Sequence, residues 1–132
     1  MKKGIVWFRN NLRLVDNESL TRAMDECDEI LCVYILEPRI WNASAEPLRM
    51  GSIRANFILQ SLSELENEIK EIGGTIEFVQ GQVLEEIPRL MESYGADNCY
   101  TQKEDAWEET EQERLLAAQI NLTLSPGKGI WE

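Results

Sequence analysis

Short, continuous apolar runs that alternate with stretches of helical periodicity constrain this chain more than any other feature of it. Ile5-Val6-Trp7-Phe8 ends abruptly in Arg9-Asn10-Asn11, as a strand buried on both faces does. Asp16-Asn17 supplies an N-cap for a helix over residues 18–26. Residues 30–36 form a second buried strand. The longest helix opens near Ser52, where Ile58, Leu62, Leu65, Ile69 and Ile72 recur at spacings of four and three and lay one apolar stripe along one face. Gly73-Gly74 stops it. Residues 75–79 are a third strand, and Gln80-Gly81 turns the chain. Pro88 cannot sit deep inside a helix, so it is expected to open one that runs to Tyr94 and closes at Gly95. A strand over 98–101, an acidic helix over about 107–118 and a short strand over 122–124 complete the alternation. Apolar strands interleaved with helices specify an α/β fold, a Rossmann-like doubly wound sheet of five parallel strands with helices on both faces and right-handed crossovers. The 132 residues hold one domain's worth of core, without internal repeats or low-complexity segments.

Charge and missing residue types then narrow the chemistry. Thirteen basic residues against 24 acidic ones give a net charge of −11. Such a surface repels phosphate backbones, which argues against a nonspecific nucleic-acid binder. There is no histidine, so a Ser-His-Asp triad, a Cys-His pair, a His-ligated metal and an imidazole base are all excluded. The three cysteines, Cys27, Cys32 and Cys99, form no CxxC pair. Cys32 and Cys99 fall in strand-like runs and are expected as small buried residues rather than metal or redox groups. Met1-Lys2-Lys3-Gly4 leads into an apolar stretch too short for a signal peptide or a membrane span. The expectation is a soluble chain in a reducing, cytoplasmic setting with no membrane partner.

Doubly wound sheets bind ligands beyond the carboxyl ends of their strands, where the strand order reverses. The segments concerned are 9–16, 37–51, Gln80-Gly81 and 103–106. Residues 37–51, with Pro38 and Pro47, make a long connection of the kind that tends to be functional. No GxGxxG follows the first strand and no GxxxxGK[ST] occurs; Gly127-Lys128-Gly129 reads as a plain turn. Arg9 and Arg13 flank the first turn and read either as surface or interdomain arginines that pair with carboxylates, or as residues that orient the loop or contact a ligand. Lys103-Glu104-Asp105 follows the fourth strand, where a carboxylate can accept paired N–H donors from a flat heterocycle. From Glu108 onward the acids read as a solvated face that also suits a helix N-terminal turn. No nucleophile stands with a base, and the residues alone reach a small α/β domain in which the acids after the fourth strand serve either a crevice for a flat ligand or a plain solvated face.

Residues 7–17, Trp7-Phe8-Arg9-Asn10-Asn11-Leu12-Arg13-Leu14-Val15-Asp16-Asn17, resemble the opening signature of the photolyase/cryptochrome family, WFRxDLRxxDN, at every position but Asn11, where the family has Asp. Further matches are in register. Glu37-Pro38-Arg39 is similar to the family's DPR or TPR, and Arg54 through Leu62 to its RAxFLLESL helix. Gly81 through Ile87-Pro88 resembles GxPEEVIP, and Lys103-Glu104 with Glu108-Glu109 resembles the HKExxSEE stretch of the cryptochrome-DASH branch. The family's aromatic-Gly-x-Thr-Leu continuation is poorly kept at the end.

The resemblance implies that residues 1–132 are the N-terminal α/β domain of a longer flavoprotein, whose helical domain holds FAD and is the only part that meets damaged DNA. It implies a cleft for an antenna chromophore, most often methenyltetrahydrofolate and sometimes a deazaflavin or flavin. Excitation passes from antenna to FAD through space, so the antenna domain needs no acid, base or metal. By motif match, Phe8 contacts the pterin ring and Glu104 hydrogen-bonds its edge, with Arg9 and Lys103 nearby; read without the resemblance, Phe8 is equally a core aromatic at the end of the first strand and Glu104 a solvated loop acid. The chain alone is not expected to repair DNA. The parent would split pyrimidine dimers by light-driven electron transfer, act as a blue-light photoreceptor without repair, or use this domain, without an antenna, only as a brace.

Overall fold

The computed structural model describes residues 2–9, 18–37, 52–71, 73–104 and 107–125. Along them lie β1 (Lys3–Phe8), α1 (Glu18–Glu26), β2 (Glu29–Leu36), α2 (Ser52–Glu71), β3 (Ile76–Gln80), α3 (Val83–Tyr94), β4 (Asn98–Gln102), α4 (Trp107–Ala117) and β5 (Leu122–Ser125). All strand pairs are parallel, and the order across the sheet is β3-β2-β1-β4-β5. The central strand β1 pairs with β2 from Lys3↔Glu29 to Phe8↔Tyr34 and with β4 from Gly4↔Asn98 to Val6↔Tyr100. The chain winds outward from β1 to β3, crosses back to β4 and continues to β5, so the order reverses between β1 and β4. This is the doubly wound α/β arrangement that the sequence predicts.

Its central place explains why β1 carries an unbroken apolar run, with every residue from Gly4 to Phe8 buried. Successive side chains point to opposite faces. Ile5 and Trp7 pack with Val33, Ile87, Leu90 and Leu116 under α3 and α4. Val6 and Phe8 pack with Leu20, Ala23, Leu65 and Ile69 under α1 and α2. Each fully buried Ile, Val, Leu or Phe contributes about 1.5–3 kcal/mol, so the two half-cores together hold the sheet between its helices. Leu62, Leu65 and Ile69 of the α2 stripe are buried as their spacing predicts. Cys32 and Cys99 sit in the two half-cores. Burial pushes their thiols up to about 11 and about 12, so both pack as neutral apolar residues.

One helix begins earlier than the sequence implies. Pro88 does not open α3 but lies inside it, at the sixth position. The Gln82 carbonyl accepts the N–H groups of Glu85 at 3.0 Å and Glu86 at 2.8 Å, closing the first turn ahead of the proline. Pro88 forfeits one bond, to the Leu84 carbonyl. The buried stripe Val83, Ile87, Leu90, Met91 offsets that loss. Gly95, in the left-handed conformation at φ 76°, ends α3 as expected, and its N–H reaches the Met91 carbonyl at 3.0 Å.

Residues 10–17, with Asn11, Arg13 and the Asp16-Asn17 cap, lie outside the described residues, as do residues 38–51 and Gly127-Lys128-Gly129. Among the described residues no helix is long and apolar enough to cross a membrane.

Candidate functional site

The reversal between β1 and β4 sets the carboxyl ends of these neighbouring strands side by side, at the place where doubly wound sheets bind ligands. Phe8 ends β1 and Arg9 follows it; Lys103 and Glu104 follow β4. All four residues that the sequence singles out therefore come to one edge. Thr101 fastens the two strands just inside it, its buried Oγ1 donating to the Trp7 carbonyl at 2.8 Å. On the other side of β4, the Lys103 N–H donates to the Ser125 carbonyl at 2.8 Å and prolongs the pairing with β5 past the last strand residue.

Arg9 is the most heavily engaged residue at this edge and is buried as a whole. Its Nη1 donates to Glu113 Oε2 at 2.6 Å and to the Gln102 carbonyl at 3.3 Å, and its Nη2 donates to the Glu109 carbonyl at 3.3 Å. The guanidinium also lies over the Trp7 ring, 4.6 Å from its centroid, a stacking that suits the planar, weakly hydrated group. Of the two roles open to Arg9 in the sequence, pairing with a carboxylate is what the structure displays, but the pair is buried within the domain rather than set at its surface. Glu113 is 3% exposed. The same Oε2 accepts the backbone N–H of Glu104 at 2.7 Å, while Thr110 Oγ1 donates to the Glu104 carbonyl at 3.2 Å.

This corrects the reading of the acidic helix as a solvated face from Glu108 onward. The Glu113 carboxylate is buried against Arg9 and the Glu104 amide, whose N–H donors take the place of its hydration. Its place was visible in part: Glu109, Gln112, Glu113 and Leu116 follow the i, i+3, i+4, i+7 pattern of one helical face, and Leu116 is fully buried. Thr101 carried no signal beyond its place in an apolar run.

Two hollows adjoin the edge. A narrow cleft of about 70 Å³ at the ends of β1 and β2 is lined by Phe8, Arg9, Tyr34 and Glu37, with Gln112 of α4. A wider hollow of about 240 Å³ shares Glu37, Val83 and Gln112 with it and is bounded by Leu84, Trp107 and Leu115. Gln112 Nε2 donates to Glu37 Oε2 at 3.1 Å and joins α4 to the end of β2. Trp107 is 76% exposed and offers an aromatic face at the rim. The wider hollow is smaller than the roughly 300–1,000 Å³ of pockets that engulf a drug-sized ligand. Phe8 and Arg9 line the narrow cleft, whereas the half-buried Glu104 and the exposed Lys103 line neither hollow. Phe8 turns its ring into the core and is 1% exposed. Among the described residues no three His, Cys, Asp or Glu side chains are grouped to hold a metal ion.

Residues 4–125 match the sequence profile of the DNA photolyase family. The chain is 34% identical over 129 residues to the chloroplastic/mitochondrial cryptochrome DASH of Solanum lycopersicum, covering 96% of this chain and 22% of that protein. It is 34% identical over 113 residues to a blue-light photoreceptor of Arabidopsis thaliana, covering 85% and 25% respectively. Its fold superposes on the crystal structure of a Synechocystis cryptochrome with a TM-score of 0.87 at 30% identity, over 96% of this chain and 28% of that one. The chain thus spans about a quarter of the length of the relatives it matches.

Proposed function

The chain belongs to the DNA photolyase family, and from that premise we propose that it is the antenna-binding α/β domain of a longer flavoprotein. The observation that carries the proposal is the convergence of Phe8, Arg9, Lys103 and Glu104 on the strand-order reversal, next to the narrow cleft that Phe8 and Arg9 line and the wider hollow adjoining it. Glu104 accepts the N–H donors along the edge of a flat heterocycle, a charge-assisted and directional contact. Phe8 and Arg9 wall the inner cleft, Trp107 supplies a stacking face, and Lys103 stands at the exposed rim. Methenyltetrahydrofolate fits this donor pattern; a deazaflavin or flavin ring presents a similar edge. A chromophore held here would supply light absorption. The residues of this chain have only to bind and orient it, which agrees with a sequence that lacks histidine.

By its likeness to the family, FAD is assigned to the remainder of the longer protein. Damaged DNA would meet that remainder too, because a domain of net charge −11 is a poor partner for a phosphate backbone. With a flavin in reach, the parent would cleave pyrimidine dimers by light-driven electron transfer. A parent that signals without repair is the second reading, favoured by the similarity to the Arabidopsis photoreceptor.

The test is an absorption titration of the chain with methenyltetrahydrofolate. The wild-type chain is expected to saturate with a perturbed near-ultraviolet band, and Glu104→Ala to weaken binding about tenfold or more, the loss typical of a hydrogen bond to a charged group. A wild-type chain that takes up no folate, deazaflavin or flavin would leave the domain as a brace without an antenna.

A further inference from the structure

The proposed site gives no role to the acid at its centre. We infer that Glu113 is the positioning residue of this crevice: one carboxylate oxygen holds Arg9 after β1 and residue 104 after β4 in a single frame, and so sets where the Glu104 carboxylate is presented. The inference rests on the antenna reading of Glu104 given above.

Neutralising Arg9 would need only the contact at 2.6 Å. Glu113 Oε2 makes a second one, to the backbone N–H of Glu104 at 2.7 Å. That amide belongs to a half-buried residue, where water could otherwise satisfy it. Thr110, one turn earlier and on the same side of α4, takes the carbonyl of the same residue at 3.2 Å. With its N–H and its C=O both tied to one helix, residue 104 has both flanking peptide planes fixed. The direction of its Cα–Cβ bond then follows. The helix that does this also forms a wall of the wider hollow through Trp107, Gln112 and Leu115. Cleft and carboxylate therefore share one rigid support, as precise binding sites do. Glu113 itself is buried behind them and touches no ligand.

The experiment compares wild type, Glu113→Gln and the surface variant Thr110→Ala by amide hydrogen exchange and by titration with methenyltetrahydrofolate. In Glu113→Gln the residue 104 amide is expected to exchange about tenfold faster relative to the amides of Cys99 and Tyr100, and folate binding to weaken about tenfold. Thr110→Ala, which leaves the buried pair untouched, is expected to weaken binding about threefold at an unchanged unfolding midpoint. Wild-type affinity in both variants despite a loosened residue 104 would overturn the positioning role, and so would an unchanged residue 104 amide in Glu113→Gln. Failure of the wild-type chain to bind folate is a different result: it removes the antenna reading, and the amide alone then decides whether Glu113 holds residue 104.

Discussion

Glu113→Ala is expected to lower the unfolding free energy by about 3–5 kcal/mol, because it leaves the Arg9 guanidinium buried without its counter-charge. Both side chains are nearly sealed from water, at 5% and 4% exposure, so solvent cannot take over the role of the lost carboxylate. The carbonyls of Gln102 and Glu109 remain as acceptors, but neither carries a full charge. Most domains are stable by only about 5–15 kcal/mol, so a loss of this size would bring the chain close to unfolding at room temperature. The double variant Arg9→Met, Glu113→Leu separates the penalty of an orphaned charge from the worth of the pair. Replacing a whole buried pair by apolar residues is often neutral, and the double variant is expected to recover most of the stability in urea unfolding. A loss below about 1 kcal/mol in Glu113→Ala would place this pair in the class of solvent-screened surface bridges.

Phe8→Ala carries the second large effect, also about 3–5 kcal/mol, the range for truncating a buried aromatic side chain. The ring is 1% exposed and packs with Leu20, Leu62, Leu65 and Tyr100, from α1, α2 and β4. Removing it opens a cavity where three elements meet, at the very end of the central strand. Denaturant unfolding with an unchanged m-value would register the loss as stability alone. If the variant loses less than about 1 kcal/mol, the ring does not close this half-core, and its place is better sought in the cleft.

The alternation of elements was readable because β1 and β2 are buried on both faces and so lack polar interruptions, while α2 shows its stripe directly in Leu62, Leu65 and Ile69. Element ends fall within two residues of their sequence positions except at α3. There, a rule about proline yielded to the burial of Val83 and Ile87. The site was legible in outline, since the sheet rule by itself brings residues 8–9 and 103–104 to one edge. What the sequence could not display is pairing across distance. Arg9 and Glu113 stand 104 positions apart, and an acid inside a run of acids looks solvated until its partner is known. Thr101 was hidden for a related reason: its hydroxyl serves a backbone carbonyl on another strand. The fate of Phe8 was open because the end of a central strand borders both core and crevice, and periodicity does not say which side takes the ring.

The chromophore site proposed at the reversal between β1 and β4 can be tested on the chain itself. The most direct measurement is a map of backbone amide shifts in the chain titrated with methenyltetrahydrofolate. The largest changes are expected on Phe8, Arg9, Lys103, Glu104 and Trp107, saturating together. The open groove at the opposite end of the sheet, lined by residues such as Asp97, Ala117 and Asn121, should stay silent. Saturable shifts centred on that groove, with none at residues 8–9 and 103–104, would contradict the proposed site.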